Sequence, residues 1–246
     1  MPFGTPVGGA TPLPGVPPTK AAEEVVVLVT NSNVKHELSG SEYPDRVRQC
    51  QDAVATLKPI YPEVTHLRDV TLDMLTKLRY SLNNISYARA KHCVTEDART
   101  LAAVKALRSG DFETVGKNMS ESHDSLSQDY EVSCVELDIL KRLALEVPGV
   151  YGSRMTGGGF GGCTVTLVKK SAVEALTVHL QTKYKQETGI DCYSFEALPS
   201  AGAGAVDLRP YLTLWTKENV QSFLNVAVPL AAVALAVTVA YHSLRK

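Results

Sequence analysis

Five glycines crowd into the six positions between Thr156 and Cys163, in the run YGSRMTGGGFGGCTVTL (Tyr151–Leu167), broken only by Phe160. A residue without a Cβ accepts positive φ and lets another group come close to the backbone. The N–H groups of Gly157, Gly158, Gly159, Gly161 and Gly162 are therefore suited to line a phosphate or to floor a site. The flanking strand-forming residues allow a second reading of the same run, a hairpin or bulge that lets two elements pack tightly. No G-K-[ST] follows the run and no GxGxxG opens a helix, so Walker-type and Rossmann-type phosphate binding is not indicated.

Other reactive side chains are dispersed. Five cysteines (Cys50, Cys93, Cys134, Cys163 and Cys192) form no CxxC pair and share no zinc-ligand spacing with the six histidines, so reduced, mostly buried thiols are expected and no metal site. No histidine pairs with an acid and a nucleophile in a recognisable catalytic order. A net charge of −1, with no basic run, gives nucleic acid nothing to bind, and 44% apolar residues suffice for a folded intracellular domain.

Three blocks carry a family resemblance: NSNVKHELSGSEYPDRVRQC (Asn31–Cys50), SESHDSLSQDYEVSCVELDIL (Ser120–Leu140) and the glycine run. Together, and in this order, they resemble the C-terminal half of galactokinases, members of the GHMP kinase superfamily, over about Val25 to Leu198. The resemblance implies transfer of the γ-phosphate of ATP, with Mg²⁺, to the anomeric hydroxyl of galactose or a related hexose. It implies that Gly157–Gly162 is the family's third motif, beside the substrate and phosphate, and that Tyr43 in SEYPDR contacts the sugar. His36 and His123 fall in matched blocks but are expected to be structural, since this chemistry calls for no histidine base. Lys35 stands where the family commonly has arginine, keeping the charge and losing the bidentate geometry.

The family's sugar-recognition motif, its serine-rich phosphate motif and its catalytic aspartate do not occur in these residues, and no aspartate precedes Asp45. No catalytic residue is therefore assigned, and the chain is not expected to catalyse alone.

These residues need elements to hold them. Val25–Thr30 reads as a buried strand, and a helix opens near Ser41 with Pro44 in its first turn and Val47, Cys50, Val54 and Leu57 on its inner face. Leu72 to Leu145 reads as largely helical. Within it, Ala90, Val94, Ala98, Leu101, Val104 and Leu107 form a stripe that Gly110 stops. Asp111 caps the next helix, whose inner face is Phe112, Val115 and Met119, and a capping box at Ser133 and Glu136 opens another. Strands follow at Val150–Thr156 and Cys163–Val168, then a helix opened by a second capping box (Ser171, Glu174), then a strand at Cys192–Ala197. This order predicts an α+β fold of the GHMP kinase C-terminal type, a mostly antiparallel sheet with helices on one face.

Residues 1–24, rich in Pro, Gly and Ala, read as a disordered leader, residues 25–200 as the folded domain and 201–222 as a linker. Phe223–Tyr241 carries no charge, and as a helix would be about 28 Å long, enough to cross a hydrocarbon core. This predicts a transmembrane tail helix that anchors a cytoplasmic domain to an intracellular membrane, although Asn225 and Pro229 interrupt the run. Two functions follow as expectations. The chain is part of a galactokinase, or it is a non-catalytic, membrane-tethered sugar-sensing or interaction protein, or a truncated product. In either case, the surface that the absent half would cover is expected to be open to a protein partner.

Overall fold

Alternation in VVVLVTN turns one face of strand β1 (Val25–Asn31) inward, with Val26, Leu28 and Thr30 buried. The computed structural model describes residues 24–34 and 42–198. Lys35, His36, the leader up to residue 23, the linker at 201–222 and the tail at 223–241 lie outside the described residues. Among the described residues no helix is long and apolar enough to cross a membrane.

After β1 come α1 (Glu42–Leu57), a 3₁₀ turn at Leu67–Asp69, α2 (Leu72–Lys77), α3 (Asn84–Ser109), α4 (Phe112–Gln128) and α5 (Val135–Leu145). Then follow β2 (Val150–Thr156), β3 (Cys163–Lys169), a 3₁₀ turn at Lys170–Ala172, α6 (Val173–Thr188) and β4 (Tyr193–Ala197). The four strands form one sheet in the order β2-β3-β1-β4, antiparallel throughout.

Register sets Val26 opposite Val168 and Leu28 opposite Thr166. On that face Val26, Leu28 and Val168 join Leu140, Leu143 and Ala144 of α5 with Leu176, Leu180 and Tyr184 of α6 in the main core. Burying each large apolar side chain there contributes about 1.5–3 kcal/mol. Tyr184 is fully buried and its hydroxyl donates to the Ser32 carbonyl at 2.8 Å, so the ring anchors the end of β1 as well as filling the core.

The opposite face is also covered, which corrects the expectation of helices on one face alone. Val27 and Leu167 pack there with Val115 and Phe112 of α4 and Ala106 of α3. Gly116 of α4 and Gly152 of β2 make this possible. A Cβ on Gly116 would lie 2.0 Å from the Tyr151 carbonyl oxygen, and a Cβ on Gly152 2.0 Å from that of Gly116. Helix and strand thus meet backbone to backbone, and α4 then runs on to shield the outer edge of β2, where the Met155 N–H donates to His123 Nδ1 at 2.9 Å. A separate core, with Ala53, Leu57, Val64, Leu75, Ala90 and Val94 among its members, joins α1, α2 and α3.

Four further expectations need correction. Val47 of α1 is exposed and Ala53 is buried instead. The α3 stripe holds at Ala90 and Val94, but Ala98, Leu101, Val104 and Leu107 are exposed, because only Ala106 of the last helical turns reaches the sheet. Neither capping box forms. Cys134 is the N-cap of α5 and the Ser133 hydroxyl donates to Asp138 at 2.6 Å, while α6 starts at Val173 behind a 3₁₀ turn. Among the cysteines only Cys192 is buried; the other four are half-buried. Other signals hold: Gly110 ends α3 at φ 72°, and the Asp111 side chain accepts from the Thr114 N–H.

Candidate functional site

The glycine run joins β2 to β3, so it is a hairpin connection, but one far more constrained than a turn needs to be. Gly157, Gly159, Gly161 and Gly162 all have positive φ, as does Phe160 at 59°. At Gly159 a Cβ would lie 2.1 Å from the Val132 carbonyl oxygen, the same carbonyl that accepts from the Phe160 N–H at 2.7 Å. The Phe160 ring packs against the cluster of Leu126, Val132, Leu137 and Met155, which fixes the tip of the loop.

Gly158 is different. Its φ is not in the left-handed region and a Cβ there would meet nothing within 4 Å. The fold therefore gives no reason for glycine at this position, and a bare backbone facing open space is what the approach of a ligand calls for. The hairpin reading of the run holds: the loop joins two antiparallel strands and Gly159 serves close packing, while Gly158 has open space beside it.

Two segments hold the loop. On one side, the Ser32 N–H and hydroxyl both donate to the Gly162 carbonyl, at 2.8 and 2.7 Å, and the Gly162 N–H donates to the Val34 carbonyl at 3.2 Å. The β1–β3 pairing is thereby carried past the strand ends. On the other side stands the 130–132 segment, with Glu131 itself at φ 53°. Arg46 of α1 donates to the carbonyls of Tyr130 and Glu131 at 2.7 and 2.6 Å. Arg89 of α3, only 3% exposed, donates to Gln49, to the Asp129 carbonyl and to the Glu131 carboxylate, all within 2.8 Å. A buried guanidinium with this many partners fixes geometry, since removing it would strand several acceptors.

Tyr43 lies in the first turn of α1, 78% exposed, three residues before Arg46 and so on the same side of the helix. The structure thus sets Asn31–Val34 and the 130–132 segment against the glycine loop, and ties α1 to the latter segment through Arg46. Arg46, Arg89 and Glu131 escape sequence reasoning. The signal for Arg89 is a charge beside the buried Ala90 and Val94, whereas the carbonyl acceptors of Arg46 leave no mark in a side-chain pattern.

His123 is buried and structural. The Met155 N–H occupies Nδ1, so Nε2 carries the proton and donates to Asp138 Oδ1 at 2.9 Å. Burial raises the Asp138 carboxyl, but bonds from His123, Ser133 and Ser127 outweigh it and hold the group below its usual range.

His92 is the titratable group whose surroundings predict a pH effect. Burial pushes it from 6.5 down to about 4, with its Nδ1 against Ser125 and its ring 4.6 Å from that of Tyr130. Its folded value lies below its unfolded value, so the unfolded chain takes up the proton first. The His92 contribution is complete above pH 6.5 and is lost as pH falls from 6.5 towards 4. Between pH 7 and 4.5 the loss is about 2–3 kcal/mol. Urea unfolding at both pH values should show this difference shrinking in His92→Asn; an unchanged difference would rule the group out.

Among the described residues no group of three or more His, Cys, Asp or Glu could hold a metal ion.

Residues 103–186 match the protein family described as GHMP kinases C terminal. The chain carries a GHMP kinase C-terminal domain. Over 161 residues it is 51% identical to galactokinase from Homo sapiens, covering 65% of this chain and 40% of that protein. Over 189 residues it is 42% identical to galactokinase from Chloroflexus aurantiacus, covering 77% and 48%. Among solved structures it resembles Lactococcus lactis galactokinase complexed with galactose, with a TM-score of 0.70 at 29% identity, covering 75% of this chain and 47% of that one. The chain thus spans less than half the length of these relatives.

Proposed function

We propose that this chain provides the C-terminal half of a galactokinase site, for ATP-dependent phosphorylation of galactose or a related hexose at its anomeric hydroxyl. The observation that carries the reading is the meeting of all three family blocks at the glycine loop, with Gly158 left bare where the fold does not require it. In this reading Gly157–Gly162 faces the substrate and the transferring phosphoryl group. Its backbone dipoles act on the charge that develops there, in line with the positioning and electrostatic work that phosphoryl transfer demands. Tyr43 contacts the sugar from the exposed first turn of α1. The acceptor hydroxyl gives up its proton and takes the phosphoryl group, and ADP leaves. Aspartate and phosphate-anchoring serines, absent from these residues, come from a partner half, in the same polypeptide or apart from it. The tethered, non-catalytic alternative rests on residues 223–241 and draws no support from the described residues.

Co-expression with the N-terminal half of a galactokinase tests the proposal. The expected result is galactose-dependent ADP release that neither half shows alone. A folded complex of the two halves without turnover on galactose or another hexose would sink it.

A further inference from the structure

We propose that Cys50 and Cys93 form a redox modification site, a pair of thiols that a hydroperoxide converts to a disulfide joining α1 to α3. The two residues are 43 apart in sequence, yet their sulfurs are 4.0 Å from each other, and Cys50 Sγ is 3.9 Å from the Tyr130 hydroxyl. Both are half-buried, so a small oxidant can reach Cys50 at its exposed part, and Cys93 and Tyr130 beside it line an open cleft of about 550 Å³. The sulfurs must approach by about 2 Å to bond, a movement within reach of side-chain rotation and a small helix shift.

The surroundings divide the roles. With Cys93 as donor in the shared bond, that bond, the Tyr130 hydroxyl and the charges of Arg89 and Arg46 all favour the thiolate at Cys50; they outweigh burial and bring Cys50 down to about 7. Cys93 is pushed well up by the same bond and by burial, and so stays a thiol. Cys134, raised to about 11 by burial, is a poor competitor. The Cys50 thiolate attacks the peroxide O–O bond, the distal oxygen leaves as hydroxide or alkoxide, and a sulfenic acid forms at Cys50. Cys93 then attacks that sulfur, the S–O bond breaks, and water leaves with the Cys93 proton. Two thiols are oxidised and one hydroperoxide is reduced.

The bond bears on the candidate site. Cys50 lies one helical turn beyond Arg46, and Tyr130 touches it directly, so closing the bridge pulls on the segment whose Val132 carbonyl holds the Phe160 N–H.

The test uses the full chain with hydrogen peroxide. Peptide mapping is expected to find Cys50 linked to Cys93, and Cys93→Ser to accumulate a sulfenic acid at Cys50 that dimedone traps. In Cys50→Ser, oxidation of Cys93 should slow by about tenfold or more. Amide exchange at Phe160 should differ several-fold between the oxidised and reduced chain. Should a variant fail to fold, competitive alkylation of the wild-type chain at neutral pH decides, with Cys50 reacting about tenfold faster than Cys134. Oxidation spread over Cys134 and Cys163 without the bridge, a bridge that forms as fast in urea, or unchanged exchange at Phe160 would overturn the proposal.

Discussion

Gly152→Ala is expected to abolish cooperative folding. The added methyl would lie 2.0 Å from the Gly116 carbonyl oxygen and 2.5 Å from the Gly116 Cα, and these are backbone atoms with no rotamer to move to. To make room, α4 must lift off β2. That would open the packing of Val115 and Phe112 on the sheet and break the bond from Met155 N–H to His123. Loss of this interface costs more than about 4 kcal/mol, a large part of the stability of an ordinary domain. Thermal and urea unfolding would measure it, with Gly158→Ala as a control expected to stay within about 0.5 kcal/mol of the parent, since its methyl meets nothing. A Gly152→Ala protein that melts within a few degrees of the parent would show that helix and strand are not locked at this point.

Gly159→Val is expected to abolish the phosphorylation restored by a partner half. A β-branched residue at φ 89° is strained, and its Cβ would press to 2.1 Å from the Val132 carbonyl oxygen. The loop tip would move, the Phe160 N–H would lose its acceptor, and stability would fall by about 2–4 kcal/mol. Gly158→Ala separates packing from function. It should leave stability alone yet lower the restored activity, because its methyl would occupy the space kept for the substrate. Full activity in both variants would remove the glycine loop from the site.

Much of the fold is legible in the residues because it depends on patterns that side chains carry. Val26 and Leu28 alternate into the core, Gly110 and Asp111 end one helix and start the next, and the glycine run falls between two strands. The failures share a cause. Ser133 and Ser171 have the spacing of capping residues, but Asp138 draws the first to itself and a 3₁₀ turn moves the start of α6 past the second. Leu101, Val104 and Leu107 sit on the expected period, yet none of the described elements covers them. At the candidate site, the glycines stand out by type, while Tyr43 is picked out only by the family resemblance. The grip of Arg46 and Arg89 on the 130–132 segment does not, because most of its acceptors are carbonyls, which every residue has.

The place of β1 in the middle of the sheet has a kinetic meaning. This strand leads the described elements in sequence, yet both of its neighbours, β3 and β4, follow it by well over a hundred residues. Closing loops of that length before β1 can join the β2–β3 hairpin slows folding relative to a helical bundle of the same size. During synthesis the helices α1 to α3 can gather around their own core while β1 waits. The alternating apolar strand thus stays unpaired until Cys163–Lys169 leave the ribosome, and its second edge stays open until Phe195 and its neighbours follow, an interval in which it needs protection from other chains.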